Sequence, residues 1–268
     1  MYIEIIAGGT CCITGMILYK LTPLLRRYYQ EKQRTPLTPI IYLEGNIGAG
    51  KSTLAARLAQ LNQFNVIAEP VQQWQDVEGH NLLGLLYADR FTWNFPFQTL
   101  ALTTLGLRQT QLLANNPNKL MILERSPQCS LGVFAQYLEN VGMLTQAHMA
   151  VLRVLRDAIA PKTQHPVHYI YVRTPPKVVI ERIALRGRTE ELPITETYLN
   201  ELHDITDAWL LFAERAPVHV IDGTQGPDEV LKEAVNIIKN IEAGCIPTPS
   251  LAKPAAAELV TANKAPKQ

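Results

Sequence analysis

The sequence predicts an α/β protein of three layers, a parallel five-stranded sheet flanked by helices with an arginine-rich lid above it. Three observations predict it. Short apolar runs alternate with longer amphipathic ones from residue 40 to about 242, the pattern of parallel strands joined by crossover helices. A glycine-rich segment, "GNIGAGKS" (45–52), sits directly after the first apolar run and directly before an amphipathic one. Three arginines fall within seven residues near the end of a later helical pattern, "ERIALRGRTEE" (181–191).

The chain divides into four stretches. Residues 1–34 hold a 15-residue uncharged run, "IIAGGTCCITGMILY" (5–19), followed by Lys20 and by Arg26-Arg27. A bilayer span needs about 20 apolar residues, so the run is short. Its basic flank fits an anchor that leaves the rest on the cytoplasmic side, and membrane association through residues 5–25 is weighed evenly against a plain apolar segment. No serine precedes residue 52, unlike a Ser-rich mitochondrial transit peptide; the compartment is left as cytoplasmic or mitochondrial. "TPLTP" (35–39) reads as a linker, and residues 40–242 as the catalytic domain. From residue 243 a Pro-, Ala- and Lys-rich tail with almost no aromatic content reads as disordered.

Within the domain the strand candidates are "IIYLE" (40–44), "FNVIAE" (64–69), "KLMILE" (119–124), "VHYIYVR" (167–173) and "VHVID" (218–222). Helical patterns between them include "STLAARLAQL" (52–61), "PKVVIERIALR" (176–186) and "TYLNELHDITDAWLLFAER" (197–215). The segment 45–52 matches G-x-x-x-x-G-K-[ST] in the strand–loop–helix setting that motif requires, a P-loop NTPase-type arrangement. Lys51 is expected on the β- and γ-phosphates of a nucleotide and Ser52 on Mg²⁺. Glu69, Glu124 and Arg125 fall at the carboxyl ends of two strands, the edge where open α/β sheets bind ligands. Either strand end alone reads as a solvated loop charge or an ion pair; together they suit a general base and an oxygen ligand for a metal. Arg182 and Arg186 are spaced i,i+4 on one helix face, and Arg188 follows Gly187. Three guanidinium groups can clamp a transferring phosphoryl group; pairing with Glu181, Glu190 and Glu191 is the competing account. Gln98, Ala101 and Leu105 form one helical stripe, fit either for a core or for gripping a flat base by one edge.

Composition narrows the classes further. A net charge of +1 lacks the basic excess of a general nucleic-acid binder. The cysteines (11, 12, 129 and 245) and the six histidines show no metal or disulfide spacing, so a reducing compartment is expected. His165 and His168 in "QHPVH" read as a loop feature.

"EGNIGAGKST" (44–53), "EPVQQW" (69–74), "GHNLLGLLYADRFTWNFPFQ" (79–98), "LERS" (123–126), "ERIALRGRTEE" (181–191) and "YLNELHDITDAWL" (198–210) resemble, in order, the deoxynucleoside kinase family. The resemblance runs from about residue 40 to 225. It implies ATP-dependent phosphorylation of the 5′-hydroxyl of a deoxyribonucleoside, in nucleotide salvage, by a homodimer. It implies an ATP site of Gly45, Asn46, Ile47, Gly48, Ala49, Gly50, Lys51, Ser52 and Thr53, with the lid Arg182, Arg186 and Arg188, and with Asp222 and Thr224 near the adenine. Glu69 is then the base that takes the 5′-hydroxyl proton, Arg125 holds that end of the sugar, and Glu124 lies by Mg²⁺, a residue the family has also been given as proton acceptor. Tyr87 and Glu191 bind the 3′-hydroxyl, Gln98 pairs with the base, and Trp74, Phe97 and Phe134 wall the pocket. Members preferring deoxycytidine or purines carry Arg and Asp where this chain has Leu105 and Ser130. The neutral pair implies pyrimidines, thymidine before deoxycytidine. Pro127 and Leu131 depart from the family pattern and are expected to touch the pocket floor. A nucleoside monophosphate kinase and a non-catalytic accessory subunit of the same fold are the alternatives; Glu69 would repel the acceptor phosphate of the first, and the second has no need of Lys51, Ser52, Glu69 and the arginines together.

Overall fold

The computed structural model describes residues 37–115, 120–159 and 163–244. The apolar run at 5–19 and nearly all of the tail expected from residue 243 lie outside the described residues.

Five strands, β1 (Ile40–Glu44), β2 (Asn65–Ile67), β3 (Met121–Glu124), β4 (Val167–Arg173) and β5 (Val218–Asp222), form one parallel sheet in the order β2-β3-β1-β4-β5. The register pairs Ile40 with Met121 on one side and with Val167 on the other. The order of connection reverses at β1, and a ligand crevice opens at the carboxyl ends of the strands at such a point.

Alternate strand residues face opposite layers. Ile41, Leu43, Ile122, Ile170 and Val172 pack with Leu54 and Leu58 of α1 (Lys51–Gln60) and, further along the chain, with Ala234 and Ile238. On the other face Tyr42, Met121, Leu123, Tyr169 and Tyr171 pack around Leu210. Helices α2 (Val71–Gln75), α3 (Leu82–Ala88) and α4 (Arg90–Asn115) follow β2. Trp74, Leu83, Leu86, Phe97, Ala101 and Leu105 form a separate apolar cluster among these three. α4 is 26 residues long and contains Pro96, which has no N–H to give the preceding turn.

After β3, Ser126 caps α5 (Pro127–Cys129), its Oγ accepting from the Cys129 N–H at 3.1 Å. Pro127 occupies the first helical position, where its missing N–H costs nothing. A π-helical stretch, Ser130–Ala135, leads into α6 (Gln136–Asn140), followed by α7 (Gln146–Ile159), α8 (Pro176–Arg186), α9 (Glu196–Asp207) and α10 (Pro227–Glu242).

Three elements differ from their sequence expectation. β2 stops at Ile67, short of the end of "FNVIAE", because the chain leaves the ladder to carry Glu69 over the sheet edge, whereas β3 ends at Glu124 as expected and begins only at Met121. The helix expected through residue 215 changes pitch at Ala208, where the Glu214 N–H donates to the Trp209 carbonyl at 2.8 Å. His168 is a buried strand residue of β4 whose ring stacks on His219 of β5, Nδ1 to Nε2 at 3.3 Å; only His165 is a loop residue.

Candidate active site

The loop between β1 and α1 is shaped by three glycines with positive φ, Gly45 (148°), Gly48 (75°) and Gly50 (107°). At Gly45 a Cβ would stand 2.6 Å from the Val172 carbonyl oxygen of β4, so only glycine lets the loop lie against the neighbouring strand. Asn46 stitches the loop to α9, its Nδ2 donating to the Leu199 carbonyl at 2.8 Å. Lys51 closes it from within, its Nζ donating to the carbonyls of Gly45 (3.0 Å) and Asn46 (2.7 Å). Burial pushes the Lys51 ammonium down to about 8, Arg125 adds to the effect, and Glu69, Glu124 and Glu44 oppose it.

The strand ends supply the next layer. Ser52 Oγ donates to Glu124 Oε1 at 2.5 Å, and the Glu69 N–H donates to Glu124 Oε2 at 3.1 Å. Arg125 Nε donates to Glu69 Oε1 at 2.7 Å. The Arg125 backbone is left-handed, with φ 66°, an uncommon state for a residue with a side chain, and many contacts hold it there. Its N–H donates to the Leu43 carbonyl at 3.0 Å, Nη1 donates to Cys129 Sγ at 3.0 Å, and its guanidinium lies 4.8 Å from the Phe134 ring centre. Burial opposes the Arg125 charge, but Glu69, Cys129 and Glu44 hold it well above its ordinary pKa. Glu44, wholly buried, accepts from the Ser126 N–H (2.8 Å) and Oγ (2.6 Å), and burial raises its pKa despite Arg125.

These groups open on a cavity of about 530 Å³. The loop from Ile47 to Thr53 lines one end with Arg182, Arg186 and Arg188; Glu69, Trp74, Tyr87, Phe97, Gln98, Ala101, Arg125, Ser130, Phe134 and Glu191 line the rest. Trp74 meets Phe97 edge to face at 5.5 Å. Gly45, Asn46, Leu105, Glu124, Asp222 and Thr224 are not among the lining residues. Gly45 and Asn46 shape the loop from behind, and Glu124 reaches the site through Ser52. Leu105 is buried behind Ala101 in the apolar cluster. Asp222 accepts from the Thr224 N–H and Oγ1, while the intervening Gly223 and the following Gln225 face the cavity. Leu131 packs with the helical core, and Ser130 and Phe134 take the wall that Pro127 and Leu131 were expected to reshape.

The arginines split in role. Arg182 donates to the carbonyls of Ala49 (3.2 Å) and Gly223 (2.8 Å), tying the loop to the turn after β5. Arg186 and Arg188 both pair with buried Glu191, the latter at 2.8 Å, so the Glu/Arg pairing weighed from the sequence is real and lies inside the site. Gly187, left-handed at φ 64°, ends α8 between them. The lining residues that the sequence did not single out include Arg90, Asn94 and Tyr198. Arg90 and Asn94 continue the Gln98 stripe backwards at i−8 and i−4, a spacing legible in "DRFTWNFPFQ".

Oxygen donors suit a hard cation. Ser52 Oγ and both oxygens of Glu124 lie together beside the phosphate loop, the sparse protein set that Mg²⁺ takes when nucleotide phosphates complete its shell. Among the described residues no cluster of three or more His, Cys, Asp or Glu side chains could hold a metal ion.

A family model described as deoxynucleoside kinase matches residues 41–245. Human mitochondrial thymidine kinase 2 is 32% identical over 208 residues, 76% of each chain. A thymidine kinase of Ictalurid herpesvirus 1 is 30% identical over 74% of this chain and 85% of its own, and human deoxycytidine kinase is 30% identical over 64% and 75%. With the phosphate loop, the paired Glu69 and Arg125, and the arginines in one cavity, the match over three quarters of the sequence establishes that this chain belongs to the deoxynucleoside kinase family.

Proposed function

We propose that this kinase transfers the γ-phosphoryl group of ATP to the 5′-hydroxyl of pyrimidine deoxynucleosides, thymidine before deoxycytidine, with Glu69 as the base. The observation that carries the assignment is the Glu69–Arg125 pair. Arg125 occupies Oε1, and Oε2 carries no protein hydrogen bond among the described residues. One oxygen is anchored and the other is left to accept a proton from the sugar hydroxyl. Arg125 Nη2 then remains for the 5′-oxygen itself. Lys51 moves from the loop carbonyls to the β- and γ-phosphates, and Arg186 and Arg188 meet the charge that develops on the transferring group. Mg²⁺, held by Ser52 and Glu124 with the nucleotide, would supply charge neutralisation of the phosphates.

Preference for pyrimidines is supported by neutral Gln98 and Ser130 in the cavity wall, which bring no charge of their own against a thymine methyl group. Competition among the four deoxynucleosides, with the full chain and Mg-ATP and each 5′-monophosphate quantified, tests it. Mostly thymidine and deoxycytidine products are expected. Dominant purine products would overturn the preference, and no product from folded, ATP-binding protein would overturn the activity.

A homodimer is supported by exposed Val151 and Val154, one turn apart on α7, and by exposed Leu107 on α4, which packs against α7. Sedimentation should find two copies in wild type and one in Val154→Glu. Among the described residues no helix is long and apolar enough to cross a membrane. A mitochondrial location is supported by the name of the human relative, and fractionation of cells expressing the full chain would test it.

A further inference from the structure

Helix α4 presents Arg90, Asn94 and Gln98 at successive turns, and all three line the cavity. Arg90 is occupied, with its guanidinium 4.3 Å from the Tyr198 ring centre and 5.6 Å from that of Tyr87. Gln98 is the amide given above to the base edge. Asn94 differs from both. It is 1% exposed, yet neither its Nδ2 nor its Oδ1 has a hydrogen-bond partner. A carboxamide offers two donors and an acceptor with two lone pairs, and a buried amide left without partners is costly. Asn94 borders a cavity, so the missing partner is supplied by what enters it.

We propose that Asn94 is a specificity-determining residue for the nucleoside: its Nδ2 donates to the 2-oxo group of a pyrimidine base, beside the edge that Gln98 holds. The inference rests on the reading of the pocket given above. Side chains four residues apart on a helix stand one turn, about 6 Å, from each other, of the same order as the separation of the two exocyclic groups flanking N3 of a pyrimidine. Two amides at that spacing can read one base edge together. The direction is consistent, because the 2-oxo group adjoins the glycosidic bond and Tyr87, assigned to the sugar, lies at the same end of α4 as Asn94. The 4-position then points along the helix toward Ala101 and Ser130. Thymine and cytosine share the 2-oxo group, whereas adenine carries only C2–H. Asn94 therefore adds an attractive contact for pyrimidines where Leu105 and Ser130 merely withhold an obstacle.

The test is Asn94→Leu, close in volume and without polar atoms, with Asn94→Ala as a second variant should leucine crowd the site. The nucleoside-free protein should keep or raise its Tm, since an unpartnered amide is removed. Steady-state kinetics should show KM for thymidine and deoxycytidine raised roughly tenfold or more, kcat within about threefold, and kcat/KM for deoxyadenosine unchanged. Unaltered pyrimidine KM in both variants overturns the proposal. A uniform rise for all three nucleosides also overturns it, because the contact would then be to the sugar. A fallen Tm with unaltered KM makes the amide structural, with the same consequence. Gln98→Leu reports on the pocket separately: if it impairs pyrimidine use while the Asn94 variants do not, only this inference fails, and if it too is silent, the base pocket has been misplaced.

Discussion

At the scale of single residues, Glu69 has one oxygen anchored by Arg125 and one left for the cavity, the asymmetry that the proposed base requires. Glu69→Gln keeps the shape and removes the proton acceptor, so kcat should fall by about 10²–10⁴ while nucleoside binding by calorimetry stays within a few-fold; undiminished turnover would transfer the role to Glu124. Lys51 gives a pH prediction. Burial brings its pKa down to about 8, and a bound polyphosphate must raise it. Above pH 8 the ammonium has to be re-formed before ATP is held, so ATP binding should take up roughly three quarters of a proton at pH 8.5 and weaken as pH rises further. Calorimetry in two buffers of different ionisation enthalpy measures the uptake, and none would contradict the buried cation. Glu69, Glu124 and Arg125 were legible because each follows an apolar strand. Arg90 and Asn94 were not, since polar residues on a helix usually mark a solvated face, and only the three-dimensional cavity shows which face this is. Glu44 ends a buried strand and gave no sign that it braces Arg125 through Ser126.

At the scale of elements, α8 carries Arg182 and Arg186, and the left-handed Gly187 that ends it leads on to Arg188. Arg186→Ala should lower kcat by about 10²–10³ and leave ATP affinity within roughly tenfold, checked by single-turnover quench against equilibrium binding. The β4–β5 pair holds another testable feature. Burial, and then His168, pushes His219 down to about 4, and burial lowers His168 as well. Both rings titrate near 6.5 in the unfolded chain, so the unfolded state binds more protons between about 4 and 6.5. Stability is therefore full above pH 6.5 and is lost on acidification through that window, by about 1–2 kcal/mol at pH 5. A Tm series from pH 7 to 5 should fall less steeply for His219→Phe than for wild type. The five strands and most helices were readable from their periods of hydrophobicity. The π-helical turns were not, because a change of pitch at Ser130 or Ala208 leaves the pattern of apolar residues almost unaltered; yet the first of them sets Ser130 and Phe134 against the cavity.

At the scale of the whole molecule, the sheet buries its apolar faces against helical layers and leaves the chemistry to the loops beyond its carboxyl edge. Ligands that bind only the folded state should raise Tm with the logarithm of their concentration above Kd, and ATP with thymidine should raise it more than either alone if one cavity holds both. Glu191 answers Arg186 and Arg188 together, so that corner carries one surplus positive charge, while the chain as a whole carries a net +1. The attraction felt by a nucleotide is thus local, and it is screened by added electrolyte over about 8 Å at physiological ionic strength. A neutral nucleoside feels none of it. Raising potassium chloride from 20 to 300 mM, on the order of a fourfold shortening of that screening length, should increase KM for ATP and leave KM for thymidine in place, so that ambient salt tunes the donor side of the reaction alone.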